Sequence, residues 1–117
     1  GTECLSSRGG DVEPMKFTGD ADSALETMTR FLRTESGAEY VTVEGDYLHA
    51  VFVRPYFKLI ADVELLLDRE ASVFHVRSFE RTGSPLAEVE ARLTWLAERW
   101  ALVQQRDARL AESDIAE

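Results

Sequence analysis

From Leu59 to Leu67 every second residue is apolar: Leu59, Ala61, Val63, Leu65 and Leu67, with Asp62 and Glu64 among the residues between them. A period of two over nine residues commits the segment to a β-strand with one face turned to a core. The stretch before it has the same habit. Glu39 to Glu44 and Tyr47 to Val53 flank Gly45-Asp46, a two-residue turn in which glycine can take positive φ. That turn pairs Val43 with Leu48 and Val41 with Ala50. Val41, Val43, Leu48, Ala50 and Phe52 then share one face.

Arg54-Pro55-Tyr56 breaks the strand before the alternating segment begins. Beyond it, Asp68-Arg69-Glu70-Ala71 reads as a turn and Ser72 to Phe79 as the returning strand. A four-residue loop there pairs Leu65 with Phe74 and Val63 with Val76. Val12 to Phe17 reads as a further short strand, confined to an edge or an end by Pro14.

Two segments change period. After Asp20, a good N-cap, Ala24, Leu25, Met28, Phe31 and Leu32 recur at helical spacing, and Gly37 stands where the helix should stop. The spacing predicts a helix over 21–35. Ser84-Pro85 signals a second start, and Leu86, Val89, Leu93, Leu96 and Trp100 form its expected buried stripe, with the helix running to about Gln105. The order strand, helix, four strands, helix predicts an α+β two-layer sandwich, a mostly antiparallel five-stranded sheet with both helices on one face. The predicted core sets Val41, Val43, Leu48, Phe52, Val63, Leu65, Phe74 and Val76 under Leu25, Met28, Leu32, Leu93, Leu96 and Trp100. Residues 1–11 read as a polar arm, 12–105 as the domain, and 106–117 as a polar tail, either a fraying extension of the helix or disordered.

The chain has 22 acidic and 13 basic residues and net charge −9. This argues against nucleic acid or anionic lipid as the main partner, since both need a basic footprint. No apolar run reaches the length of a membrane span. The chain opens at Gly1-Thr2-Glu3 without an initiator Met, which reads as a truncated start from which any targeting segment would be missing. The one cysteine, Cys4, excludes an internal disulfide. It reads as an unreactive thiol, with Arg8 the nearest cation in sequence.

The stretches "FKLIADVELLLD" and "VFHVRSFERTG", with the early "CLSS", resemble the bacterial and plant family known as domain of unknown function 1499. The resemblance covers most of residues 4–93. It rests on Asp62-Val63-Glu64, Arg77-Ser78 and Arg81-Thr82-Gly83. After that glycine the family usually continues with serine-aspartate, then glycine, asparagine and arginines, whereas this chain reads Ser84-Pro85-Leu86-Ala87-Glu88-Val89-Glu90-Ala91-Arg92. The resemblance implies an extracytoplasmic setting, periplasmic or lumenal, because the family often carries an N-terminal secretory or membrane segment. It brings no reaction with it.

Candidate function residues collect on the face opposite the core. Asp62, Glu64, His75 and Arg77 fall there with His49, Tyr40, Thr42 and Tyr47. Such a row suits acid/base work or weak metal binding; it equally suits cross-strand ion pairs, Asp62 with Arg77 and Glu64 with His75. No His-x-x-x-His spacing and no glycine-rich phosphate loop is present, so no cofactor is expected.

The same parity sends Tyr40, Tyr47, Val51, Val53, Ile60, Leu66, Val73 and Phe79 outward, more apolar surface than a lone sheet leaves wet. Either the polar termini fold across it or a partner does. Trp95 and Leu102 lie on the second helix away from its stripe and mark a secondary contact. The reading that follows is a non-enzymatic binding or assembly module, using Tyr40, Tyr47, His49, Val51, Ile60, Asp62, Glu64, His75, Arg77 and Phe79 toward a protein partner or a second copy. One alternative is a small enzyme using His49, Asp62, Glu64, His75 and Arg77. The other is an extracytoplasmic carrier of a hydrophobic small molecule, which needs a cavity.

Overall fold

The computed structural model describes residues 4–54, 59–81 and 85–116. Its elements are β1 (Cys4–Ser6), β2 (Met15–Lys16), α1 (Ala21–Thr34), β3 (Tyr40–Glu44), β4 (Tyr47–Arg54), β5 (Leu59–Asp68), β6 (Val73–Glu80) and α2 (Leu86–Ala116). The fold is α+β, with one antiparallel sheet in the order β1-β6-β5-β4-β3 and β2 also paired to β6. Six strands form it rather than five. Residues 4–6 of the expected polar arm are β1, because Leu5 turns inward as a core residue while Cys4 and Ser6 pair with Phe79 and Arg77 at the edge of β6.

Gly45 carries the positive φ of the β3–β4 turn, at 58°, as a primed hairpin turn with glycine first requires. Val43 faces Leu48 and Val41 faces Ala50, as the turn length dictates. The β5–β6 hairpin differs from expectation by two residues. Leu65 pairs with Val76, Leu67 with Phe74 and Val63 with Ser78. The loop begins one residue later, at Arg69, because Asp68 stays in the strand and its carboxylate accepts the Ala71 N–H at 3.0 Å. The loop then closes through Ser72, which takes φ 56° although it is not glycine. A shift of two keeps every side chain on its face, so the core survives the change and only the cross-strand partners move.

Both helices cover one face. Met28, Phe31 and Leu32 of α1 and Val89, Leu93, Leu96, Trp100 and Val103 of α2 join Leu48, Ala50, Val63, Leu65, Phe74 and Val76 in one cluster. Val41, Val43, Phe52 and Leu25, expected in the core, are only partly buried, since they lie at the margins of the helix layer. Aromatic rings fill the centre. Phe74 meets Trp100 edge-on at 5.9 Å between centroids, and Phe17 and Phe31 flank the pair at 5.5 and 5.9 Å. The Trp100 indole N–H donates to the Lys16 carbonyl at 2.9 Å, which ties β2 to α2.

Local chemistry explains the helix ends. Asp20 caps α1 by accepting from the Ser23 N–H at 2.9 Å. At the other end Glu35 and Ser36 both donate to the Phe31 carbonyl, and Gly37 takes φ 84° to lead the chain away. The expected cap of α2, Ser84, lies outside the described residues.

The second helix does not stop near Gln105 but continues to Ala116, 31 residues or about 46 Å. Nothing in residues 106–116 breaks a helix, and ion pairs hold the extension to α1: Arg106 with Glu35 at 2.9 Å and Arg30 with Asp107 at 2.7 Å. Few apolar residues mark this segment in sequence, so its period is faint. No helix among the described residues is long and apolar enough to cross a membrane.

Candidate functional site

The β4–β5–β6 ladder arranges the outer face in rows. Tyr47, Leu66 and His75 lie abreast, then His49, Glu64 and Arg77, then Val51, Asp62 and Phe79, with Tyr40 beside Val51 and Ile60 beside Val53. All ten expected binding residues are therefore on one face. β1 lies edge-on beside β6, and the α2 extension is tied at Arg106 and Asp107 to Glu35 and Arg30 on the helix side, so neither element lies across it.

The polar partners differ from the expected pairs because of the register shift. Arg77 faces Glu64 directly and donates to it through Nε at 2.7 Å and also through Nη2. The second Glu64 oxygen accepts from the Tyr47 hydroxyl at 2.5 Å. Asp62 receives a two-pronged contact from Arg81, both hydrogen bonds at 2.7 Å, and lies 2.7 Å from His49 Nε2. His75 instead meets Asp68, at 2.9 Å. The row is thus three separate clusters rather than one constellation.

Their electrostatics follow from burial and pairing. Asp62 is only 1% exposed. Burial pushes its carboxyl up, but the hydrogen bonds from Arg81 and His49 outweigh that and hold it below the ordinary carboxylate range. For Glu64 burial again acts upward, and Tyr47 and Arg77 together bring the net shift down. Asp68 is lowered by the Ala71 backbone N–H and by His75. The Tyr47 phenol is pushed up to about 12, first by burial and then by its bond to Glu64. Each carboxylate is ionised and already satisfied.

Around these clusters the apolar residues are unevenly exposed. Tyr40 is 64% exposed and Leu66 37%. Tyr47, Val51, Val53, Ile60 and Phe79 are half-buried, and Val73 is buried. Arg77 lies over the Phe79 ring at 5.8 Å. One depression of about 260 Å³ occurs here, lined by Ser6, Arg8, Tyr47, Glu64, Leu66 and Arg77 among others. Among the described residues no cluster of three or more His, Cys, Asp or Glu could hold a metal ion.

Sequence reasoning missed one polar pair entirely. Glu80 is buried on the helix-covered face, where it receives a hydrogen bond from Arg92 of α2. The inward parity of β6 runs Phe74, Val76, Ser78, Glu80, so an apolar file turning polar at its end was the available signal. Trp95 and Leu102, expected as a secondary contact, are both exposed, and Trp95 lines a cleft beside Arg92.

Residues 2–96 match the family described as "Protein of unknown function (DUF1499)". No curated protein and no solved structure matches the chain.

Proposed function

The chain belongs to the DUF1499 family, and we propose that it is a non-enzymatic binding or assembly module that meets a protein partner or a second copy through its outer sheet face. One observation carries this reading. The charged groups of the β4–β6 rows are already paired, while Leu66 among them and Tyr40 on the β3 edge stand exposed. Covering a lone charge is expensive, whereas a pre-paired, hydrogen-bonded charge already has its partner when water leaves. Aromatic side chains beside such pairs give contact area at small entropic cost.

The enzymatic alternative fits less well. Its five residues divide among three clusters on an open sheet, and the depression, which only Glu64 and Arg77 of the five line, is smaller than the roughly 300 Å³ at which ligand pockets begin. A reacting atom would have no enclosed place where two of these groups converge on it.

The test is a double variant, Tyr40→Lys with Leu66→Lys, at the two most exposed apolar positions of the face. Thermal melting should be unchanged. Sedimentation equilibrium and affinity capture from the native host should show self-association or a retained partner for the natural chain and neither for the variant. Association that survives the two lysines would refute the proposal, as would a natural chain that is monomeric and captures nothing.

A further inference from the structure

A cleft of about 480 Å³ opens on the opposite, helix-covered side, between the end of α1, the end of β4 and the first turns of α2. Its wall on α2 is formed by Glu88, Ala91, Arg92 and Trp95. These recur at i, i+3, i+4 and i+7 and make a second stripe beside the core stripe of Val89, Leu93, Leu96 and Trp100. Facing them are Phe52, Val53 and Arg54 of β4. Trp95 is 46% exposed, a large aromatic surface for a single chain to leave at the mouth of a cavity.

Arg92 gives the cleft its chemistry. Its side chain is 15% exposed, its Nη1 donates to Glu80, and its guanidinium lies 5.7 Å from the Phe52 ring centroid. A guanidinium carries five N–H donors, and the bond to Glu80 is the one hydrogen bond that Arg92 makes among the described residues. The cation is held from behind by a carboxylate and braced on a ring, and the rest of its planar fork has no partner among the described residues. Such a fork matches two acceptor oxygens on one atom.

From these observations we propose that the cleft binds a small molecule carrying a carboxylate on a flat aromatic body. Trp95, Phe52 and Ala91 receive the ring, and Arg92 and Arg54 receive the carboxylate. Two guanidiniums, Arg54 and Arg92, are set against two carboxylates, Glu80 and Glu88, which tolerates one added negative charge better than the two of a phosphate monoester. An amine would meet both guanidiniums. The cleft volume lies within the roughly 300–1,000 Å³ of small-molecule sites. This inference is independent of the outer sheet face, which lies on the other side of the sheet.

The experiment titrates 1-naphthoate into the full chain and follows the two indole N–H cross-peaks by NMR. Trp95 should shift to saturation. Trp100, buried and bonded to the Lys16 carbonyl, should stay still and serve as an internal control. The neutral isostere 1-naphthalenemethanol should bind about tenfold more weakly, and 1-naphthylmethylamine should not bind at about millimolar concentration. Trp95→Ala and Arg54→Gln, both at exposed positions, should each weaken naphthoate by about tenfold or more while the fold is kept. Arg92→Lys keeps the charge beside Glu80 but loses the fork, and should weaken the acid while leaving the alcohol unchanged. Equal affinity for acid and alcohol would overturn the proposal, as would a stationary Trp95 peak or naphthoate binding indifferent to Trp95→Ala.

Discussion

Replacing Arg92 by Met removes the one hydrogen-bond donor that Glu80 has among the described residues, and the Glu80 side chain is 0% accessible. Breaking a buried pair from one side typically costs about 3–5 kcal/mol, because the remaining charge is stranded. Arg92→Met should therefore lie near the top of that range, about 4–5 kcal/mol. Glu80→Met strands the guanidinium instead, but Arg92 keeps some exposure toward the cleft and a long stem on which to reach water. Its cost should be lower, about 2–3 kcal/mol. The double variant removes both charges together with the unpartnered Glu80 Oε2. It should melt within about 1 kcal/mol of the natural protein, or above it. Urea unfolding followed by the fluorescence of buried Trp100 measures all four corners of the cycle, with a constant m-value confirming that one transition is compared throughout. A domain with about 5–15 kcal/mol to lose stays folded enough for each corner to be read. If both single changes cost less than about 1 kcal/mol, or if the double cost equals their sum, the pair is not the desolvated, coupled unit described here.

Asp20→Ala should remove the cap of α1 and cost about 1 kcal/mol, read as a lower urea midpoint; an unchanged midpoint would mean that the contact to Ser23 contributes nothing. Asp62, Glu64 and Asp68 are held below their ordinary values, so their contribution is fully present above the unfolded values of about 3.9 and 4.3 and is lost as pH falls through the lower folded ones. The urea midpoint should accordingly decline below about pH 4 and decline less in an Asp62→Asn, Glu64→Gln variant. Equal acid sensitivity in the two proteins would refute that assignment.

How far the sequence could be read depends on what sets each contact. The β3–β4 hairpin was legible to the residue, because a two-residue turn around Gly45 leaves one register. The β5–β6 hairpin was legible only to its face. Its four-residue loop can begin at Asp68 or one residue later, and the choice rests on an Asp68 contact to Ala71 and a left-handed Ser72 that no glycine announces. Which face Asp62, Glu64, His75 and Arg77 occupy was therefore plain, while their partners were not. Glu80 and Arg92 were hidden for another reason. Their meeting depends on where a helix lies over a sheet, and alternation along either element carries no information about that distance. The α2 extension stayed undecided between helix and tail because Arg106 and Asp107 gain their partners at α1 rather than through any apolar period.

The pairing of Cys4 with Phe79 has a practical side. Cys4 is the only cysteine of the chain, it is exposed, and it stands at the margin of the outer face. A maleimide fluorophore or nitroxide therefore attaches there alone, without prior mutagenesis. The natural chain thus carries its own addressable reporter position. Changes in the mobility or polarity of a label on this thiol give a direct optical or magnetic readout of whether the neighbouring sheet surface is bare or occupied.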